Sequence, residues 1–266
     1  MSHAILSTAG FYAQKSLDKD TTLYRIFPLD RFKEMLDSKK IYFRKVINWP
    51  DTFEYPIRFM PEDRRLRIEK SLFGLCLSKE YDKEAMWKLY SGQDKCGICV
   101  KTTASSICNA FTGLSRSRSP AFIDAFIGNV KYVDYLDTDP SLMFDEQEKY
   151  EYPDHMYPAF LKRSAFFYEN EVRILVFDLS GQFQLFRDGI CYDLRDLNFI
   201  HEIILSPYYP EEKISDFHEL CKQYGLNVNI RQSDFLRKID ENSTPLPDEN
   251  KMYWGTPKMA YNILQL

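Results

Sequence analysis

The chain has 266 residues, 44% hydrophobic and 15% aromatic, enough to bury a large core in one sizeable domain or two small ones. A formal net charge of -4 and a pI of about 5.7 give no global attraction to nucleic acid or to an anionic membrane, so any such binding would need local basic patches. No apolar run approaches the ~20 residues of a membrane-spanning helix, and the first thirteen residues carry neither a basic leader nor a cleavage site, which predicts a cytoplasmic protein without a membrane partner.

In chain order, residues 23–27 read as a short strand. Pro28 then opens an amphipathic helix carrying Leu29, Phe32, Met35 and Leu36, and Ile41-Tyr42-Phe43 returns as a strand. Asn48-Trp49-Pro50-Asp51-Thr52-Phe53-Glu54 is a polar-aromatic loop, open to two readings: Asp51 or Glu54 borders a cleft, or the Asn and Asp bond their own backbone in a turn. Residues 61–71 predict a charged helix with Arg64, Arg65 and Arg67, 72–78 a strand, 83–91 a short helix with Trp87 and Tyr90, and 96–102 another strand. A helix over 104–114, a basic loop with Arg116 and Arg118, a long strand over 125–135 and an acidic, turn-rich stretch over 137–152 follow. Residues 156–163 predict a helix leading into the apolar strand 172–177, and 182–186 with 190–194 a hairpin turning at Arg187-Asp188-Gly189. A strand over 200–205, a helix over 210–224, a strand over 226–231 and a polar, proline-bearing tail over 240–248 complete the chain.

These elements interleave irregularly, without an internal repeat, a Gly-rich phosphate loop or a dividing linker. The pattern predicts a single α+β domain of mixed, mainly antiparallel sheets with surrounding helices over 23–236, preceded by an extension, 1–22, and followed by a tail, 237–266. The six cysteines read as packing residues. Cys96-Gly-Ile-Cys99 has metal-knuckle spacing, but no second Cys or His pair follows at the spacing of a zinc site, so no metal is expected.

The most informative segment is Glu169-Asn170-Glu171, running into Val172-Arg173-Ile174-Leu175-Val176-Phe177. Residues two apart on a strand share a face, so both carboxylates and Arg173 would point one way. Alone, the segment reads as a surface Glu-x-Glu-x-Arg ladder on a half-buried strand. A Ser-His or Cys-His hydrolase is disfavoured, because none of His3, His155, His201 and His218 lies beside a nucleophile elbow. A metal-dependent nuclease could draw on Asp51, Glu54, Glu169 and Glu171 with Lys162. A dinucleotide chemistry could place Arg25 on a diphosphate, Ser78 on a ribose and Glu171 against the oxocarbenium-like sugar and its 2′-hydroxyl, with Glu169 orienting or deprotonating an acceptor. Trp87 and Tyr90, three apart on a helix, could stack on nicotinamide or belong to the core. A non-catalytic module would use the same cleft to hold a ligand.

Several strings together resemble the bacterial domain-of-unknown-function family 2971: Leu23-Tyr-Arg25, the loop from Asn48 to Glu54, Cys76-Leu-Ser78, Met86-Trp-Lys-Leu-Tyr-Ser91, the stretch from Lys162 to Arg173, and Ile200-His-Glu-Ile-Ile-Leu-Ser-Pro207. Arg25, Ser78 and Glu169-x-Glu171, in that chain order, also resemble the R-S-ExE arrangement of ADP-ribosyltransferases, although Cys76-Leu77-Ser78 lacks the Ser-Thr-Ser form. That resemblance implies NAD as substrate, bound by Arg25 and Ser78, with Glu171 as the catalytic glutamate. It also implies a toxin or phage-defence effector acting on a macromolecular acceptor, RNA or DNA ahead of protein, with an antitoxin or chaperone as a further partner.

Overall fold

The apolar run after Glu171 forms the most deeply buried strand of a large sheet, with no exposed position along its eight residues. The computed structural model describes residues 4–5, 11–51, 54, 62, 69–111, 123–134, 152, 156–178 and 186–236. In chain order the elements are β1 (Ala4–Ile5), β2 (Tyr12–Ala13), β3 (Thr22–Pro28), α1 (Leu29–Ser38), β4 (Lys40–Lys45), β5 (Leu72–Ser78), α2 (Glu84–Tyr90), β6 (Gly97–Thr103), α3 (Ala104–Ala110), β7 (Ile123–Asn129), β8 (Lys131–Val133), β9 (Leu161–Arg163), β10 (Glu171–Asp178), β11 (Gly189–Asp193), β12 (Glu202–Leu205), α4 (Ile214–Gln223) and β13 (Asn229–Gln232). The expected arginines at 64, 65, 67, 116 and 118, most of 137–152, residues 182–185 and the tail lie outside the described residues.

The main sheet runs β1-β2-β7-β10-β5-β3-β6-β12-β13, with β4 pairing both β5 and β11. Its pairs are antiparallel except β2 with β7 and β12 with β13, and β8 pairs β9 in parallel in a separate two-stranded sheet. This is an α+β fold with a mixed, mainly antiparallel sheet. Residues 1–235 form one compact unit; of a second unit, 236–266, only Leu236 is described. Residues 12–13, within the segment read as an extension, pair with β7, and Phe11, Ala13 and Leu17 are buried in the largest core cluster. Among the described residues no helix is long and apolar enough to cross a membrane.

β5 is where the sheet forks. One edge pairs with β10 from Leu72 to Ser78, while the other meets β4 at Phe73 and Gly74 and β3 only at Ser78. Alternation along β5 and β10 separates two cores. Phe73, Leu75, Leu77, Val172, Ile174 and Val176 face the larger one, with α1 residues Phe32, Met35 and Leu36. Leu72, Leu175 and Phe177 face a second cluster with Trp49, Phe126 and Phe160. Glu171 and Arg173 share the register of this second face, at its polar end.

Two sequence expectations change here. Residues 156–163 form a 3-10 turn, Tyr157–Phe160, and the strand β9 rather than a helix, because Pro158 sits within the turn and Leu161 to Arg163 pair with β8. The strand expected over 125–135 is interrupted after Asn129, and Lys131–Val133 pair in the smaller sheet.

Gly74 lets the indole of Trp49 approach β5 closely, since a Cβ there would come within 2.5 Å of the Trp49 ring. Gly74→Ala is therefore expected to cost ~1–3 kcal/mol by overpacking. In urea melts the loss should shrink when combined with Trp49→Leu; strictly additive losses would show that the two positions do not press on each other.

Candidate active site

Glu169 and Glu171 face one point for a reason other than strand alternation. Glu169 ends a 3-10 turn, Ser164–Glu169, and β10 begins at Glu171. Between them Asn170 takes a left-handed conformation, φ 41°, which Asn tolerates better than most residues. Three hydrogen bonds hold it there: the backbone N–H donates to the Phe167 carbonyl (3.1 Å), the carbonyl accepts from Lys79 N–H (3.0 Å), and the side-chain amide donates to Glu80 (3.0 Å). The kink turns both carboxylates toward Lys162 on β9.

The surface ladder expected from sequence is instead a buried ion cluster. Relative exposures are 0% for Arg173, 4% for Glu171, 5% for Lys162, 6% for Glu169 and 7% for Glu54. Lys162 Nζ lies 2.9 Å from Glu54 Oε1, 2.8 Å from Glu169 Oε2 and 3.0 Å from Glu171 Oε2. Arg173 donates from Nε to Glu171 Oε1 (2.9 Å), and from Nη2 to Glu171 Oε2 (3.0 Å) and Glu54 Oε2 (2.9 Å). Its Nη1 donates to the Ala159 carbonyl, and its Cζ stacks 4.3 Å from the Trp49 ring centroid. The loop carrying Trp49, Asp51 and Glu54 is thus part of the cluster. Asn48 donates to the Arg187 carbonyl (2.8 Å) and Asp51 pairs with Arg163 (3.0 Å), which tie the same loop to two other segments.

Three carboxylates against two cations leave one negative charge in excess when all five groups are ionised. Burial alone would raise the Glu171 pKa, but the Arg173 charge and hydrogen bonds, followed by Lys162, overcome it and hold the carboxyl down at about 2. Glu169 moves the other way. Its burial, reinforced by repulsion from Glu171 and Glu54, outweighs the attraction of Lys162 and raises its pKa. Burial disfavours the charged Lys162, yet the surrounding glutamates, Glu171 foremost, outweigh that and raise its pKa.

The remaining sequence candidates fall into different environments. Arg25 on β3 is half-buried, and β3 diverges from β5 beyond the Tyr24–Ser78 pair. Its Nη1 spans that opening to donate to the Cys76 carbonyl, while its buried Nε has no hydrogen-bond partner. Burial lowers its pKa, with Cys76, Tyr90 and Glu171 acting in the opposite direction, and a guanidinium stays charged throughout. No carboxylate lies within ion-pair distance of Arg25 among the described residues.

Ser78 lies directly opposite Glu171 in the β5–β10 register, but its hydroxyl is occupied. Its one O–H proton is shared between the carbonyls of Glu80 and Glu169, and its oxygen accepts from Glu80 N–H (3.0 Å), so here it fixes the loop after β5 and the Glu169 turn rather than standing free for a ribose. Trp87 is 0% exposed, packed with Cys99 and Ile204, and its indole N–H reaches Asp82 (3.3 Å); it is core and has no face to offer a nicotinamide ring. Tyr90, one turn on, is 39% exposed and donates its hydroxyl to Glu169 Oε2 (3.2 Å), with a pKa raised by burial and by the Glu169 charge. Cys96 and Cys99 point into separate core clusters, which parts the metal-knuckle pair.

Sequence reasoning placed Arg173 beside a glutamate and gathered Glu54, Glu169, Glu171 and Lys162 only as a metal-nuclease set. The structure puts the Lys162 ammonium at their centre, where a cation of that set would sit. Among the described residues no three His, Cys, Asp or Glu side chains are arranged to hold a metal ion.

No family model matches the chain, so the family membership implied by its strings has no support of that kind, and no curated protein matches it significantly. Among solved structures the chain is similar to Thermus sp. 2.9 DarT in complex with NAD+, at 10% identity and a TM-score of 0.37 over 83% of this chain and 99% of that one.

Because the folded Glu171 pKa lies below the ordinary 4.5, its contribution to stability is present above 4.5 and is lost as pH falls toward about 2. That contribution is of the order of 3 kcal/mol. Chemical denaturation of Glu171→Gln across pH 7 to 2.5 should show a less stable protein at neutral pH and a flatter acid limb than wild type. An unchanged acid limb would mean that Glu171 is not held ionised by its partners.

Proposed function

We propose that this chain is an NAD-dependent ADP-ribosyltransferase, acting as a toxin or defence effector on a macromolecular acceptor, nucleic acid ahead of protein. One observation carries the reading. Arg25 and Glu171 lie on the two strands that flank β5, and among the described residues Arg25 is a guanidinium without a carboxylate partner while Glu171 belongs to a cluster with one negative charge in excess. A diphosphate needs a fixed, permanently charged donor, which Arg25 offers together with its unsatisfied Nε. A cationic ring and the positive sugar left by its departure need negative charge nearby, which the cluster offers.

In this reading the glycosidic bond breaks with its electron pair leaving on the nicotinamide nitrogen, and Glu171 faces the resulting oxocarbenium-like carbon and the 2′-hydroxyl. Glu169, whose raised pKa makes it the better proton acceptor of the pair, takes the proton of the acceptor nucleophile as the new bond forms. Tyr90, half exposed beside Glu169, borders the same space. Ser78 and Trp87 act behind these groups, fixing the turn and the helix.

A second reading, a nucleotide-binding interaction module without turnover, is favoured by the three hydrogen bonds that already engage the Glu171 carboxylate. The two separate on incubation with labelled NAD and mixed cell RNA, DNA and protein. The transferase reading expects nicotinamide release and label transfer that fall ~100-fold or more in Glu171→Gln, the loss typical of removing one electrostatic stabiliser. Arg25→Ala should chiefly raise the KM for NAD, with Arg25→Lys restoring little because an ammonium cannot bind in bidentate fashion. NAD binding by calorimetry without turnover would select the module, and absence of both would sink the two readings together.

A further inference from the structure

Glu54 and Lys162 belong to no role in that scheme, yet they are the groups on which its carboxylate pair depends. Two carboxylates meeting at one ammonium would repel if the cation were absent, and one of them would take up a proton. Among the described residues, Lys162 is the cation that lies within 3.0 Å of both Glu169 Oε2 and Glu171 Oε2. Arg173 cannot substitute for it, because its hydrogen bonds reach Glu171, Glu54 and the Ala159 carbonyl but not Glu169. Glu54 in turn engages both cations at 2.9 Å, which leaves neither wholly neutralised by Glu171.

We propose that Lys162 is a positioning residue for the transferase site, holding Glu169 and Glu171 together and ionised as a working pair, and that Glu54 shares Lys162 and Arg173 so that the pair retains negative charge. Lys162 occupies the short strand β9 and its ammonium also lies 5.1 Å from the Phe166 ring, so its head is fixed from the strand and from the turn that ends in Glu169. Among the described residues, the groups facing the pair are Arg173 on the same strand as Glu171, Lys162 from β9, Glu54 from the loop after β4, Arg25 from β3, Tyr90 from α2, Tyr132 from β8, Tyr168 from the turn before Asn170 and the Cys76 thiol from β5. Of these, Lys162 alone is a cation shared by both glutamates.

The inference rests on the transferase reading, and its test separates the two. Full-length protein with ¹³C-labelled glutamate side chains is titrated by NMR as wild type, Lys162→Arg, Lys162→Met and the charge-balanced Lys162→Met/Glu54→Gln, each checked for native circular dichroism. The double variant keeps the measurement possible where Lys162→Met alone fails to fold. Loss of Lys162 is expected to move the Glu169 carboxyl titration up by at least one pH unit, and Lys162→Arg to return it. On NAD turnover Lys162→Met and the double variant should lower kcat at least tenfold with little change in KM, and move the acid limb of the pH profile up in step with the carboxyl titration, while Lys162→Arg restores both. Unchanged carboxyl titrations in the folded double variant would overturn the inference whether or not the wild type turns over NAD. A wild type inert toward NAD with shifted titrations would remove the transferase reading and leave Lys162 as the organiser of the carboxylate pair.

Discussion

The guanidinium of Arg173 is the constraint around which this part of the molecule is built. It sits with no exposure in a strand whose other residues between Glu171 and Asp178 are apolar, and a buried charge without partners would be prohibitively unstable. Four of its five N–H groups are accounted for by Glu171, Glu54 and the Ala159 carbonyl. Its flat face rests on Trp49, which in turn requires the missing side chain at Gly74. Four segments far apart in sequence are thereby fixed against one side chain: the loop after β4, the middle of β5, the turn before β9 and the start of β10.

The electrostatics of the candidate site follow from that arrangement. Arg173 holds Glu171 ionised, Lys162 bridges Glu171 to Glu169, and Glu54 prevents the two cations from cancelling the pair. Burial then splits the two glutamates, pushing Glu169 up while Arg173 and Lys162 hold Glu171 down. Such a divergence between neighbouring carboxyls lets one accept a proton while the other stays charged, a pattern suited to acid–base work beside a developing cation. Arg25 stands outside the cluster, across the gap that opens where β3 leaves β5, and among the described residues no carboxylate pairs with its guanidinium.

Periodicity made the elements legible where local and tertiary preferences agree. Helix α1, with its apolar stripe after Pro28, and strands β5, β6 and β12 fall where the residue pattern puts them. It failed at residues 157–163, where an apolar segment with helical spacing closes a 3-10 turn and then pairs with β8, because periodicity does not report a strand partner elsewhere in the chain. The Trp87–Tyr90 pair shows the same limit. Helical spacing put both on one face, and only packing decided that Trp87 belongs to the core while Tyr90 reaches Glu169. The Asn48 to Glu54 loop had no clear role from sequence; a signal was present in Arg173 itself, a lone cation inside an apolar run, which must find carboxylates somewhere distant.

By itself the sequence determined the α+β character, the position of the apolar central strand and the presence of two glutamates and an arginine at its start, since these depend on near-neighbour pattern and residue type. The tertiary structure alone decided that the same residues form a buried cluster rather than a surface ladder, that Lys162 and Glu54 complete it, and that Ser78 is spent on backbone carbonyls. The physical reason is that ionisation and burial are set by groups brought together through the sheet fork and the Asn170 kink, and the separation of those groups along the chain leaves no local pattern to read.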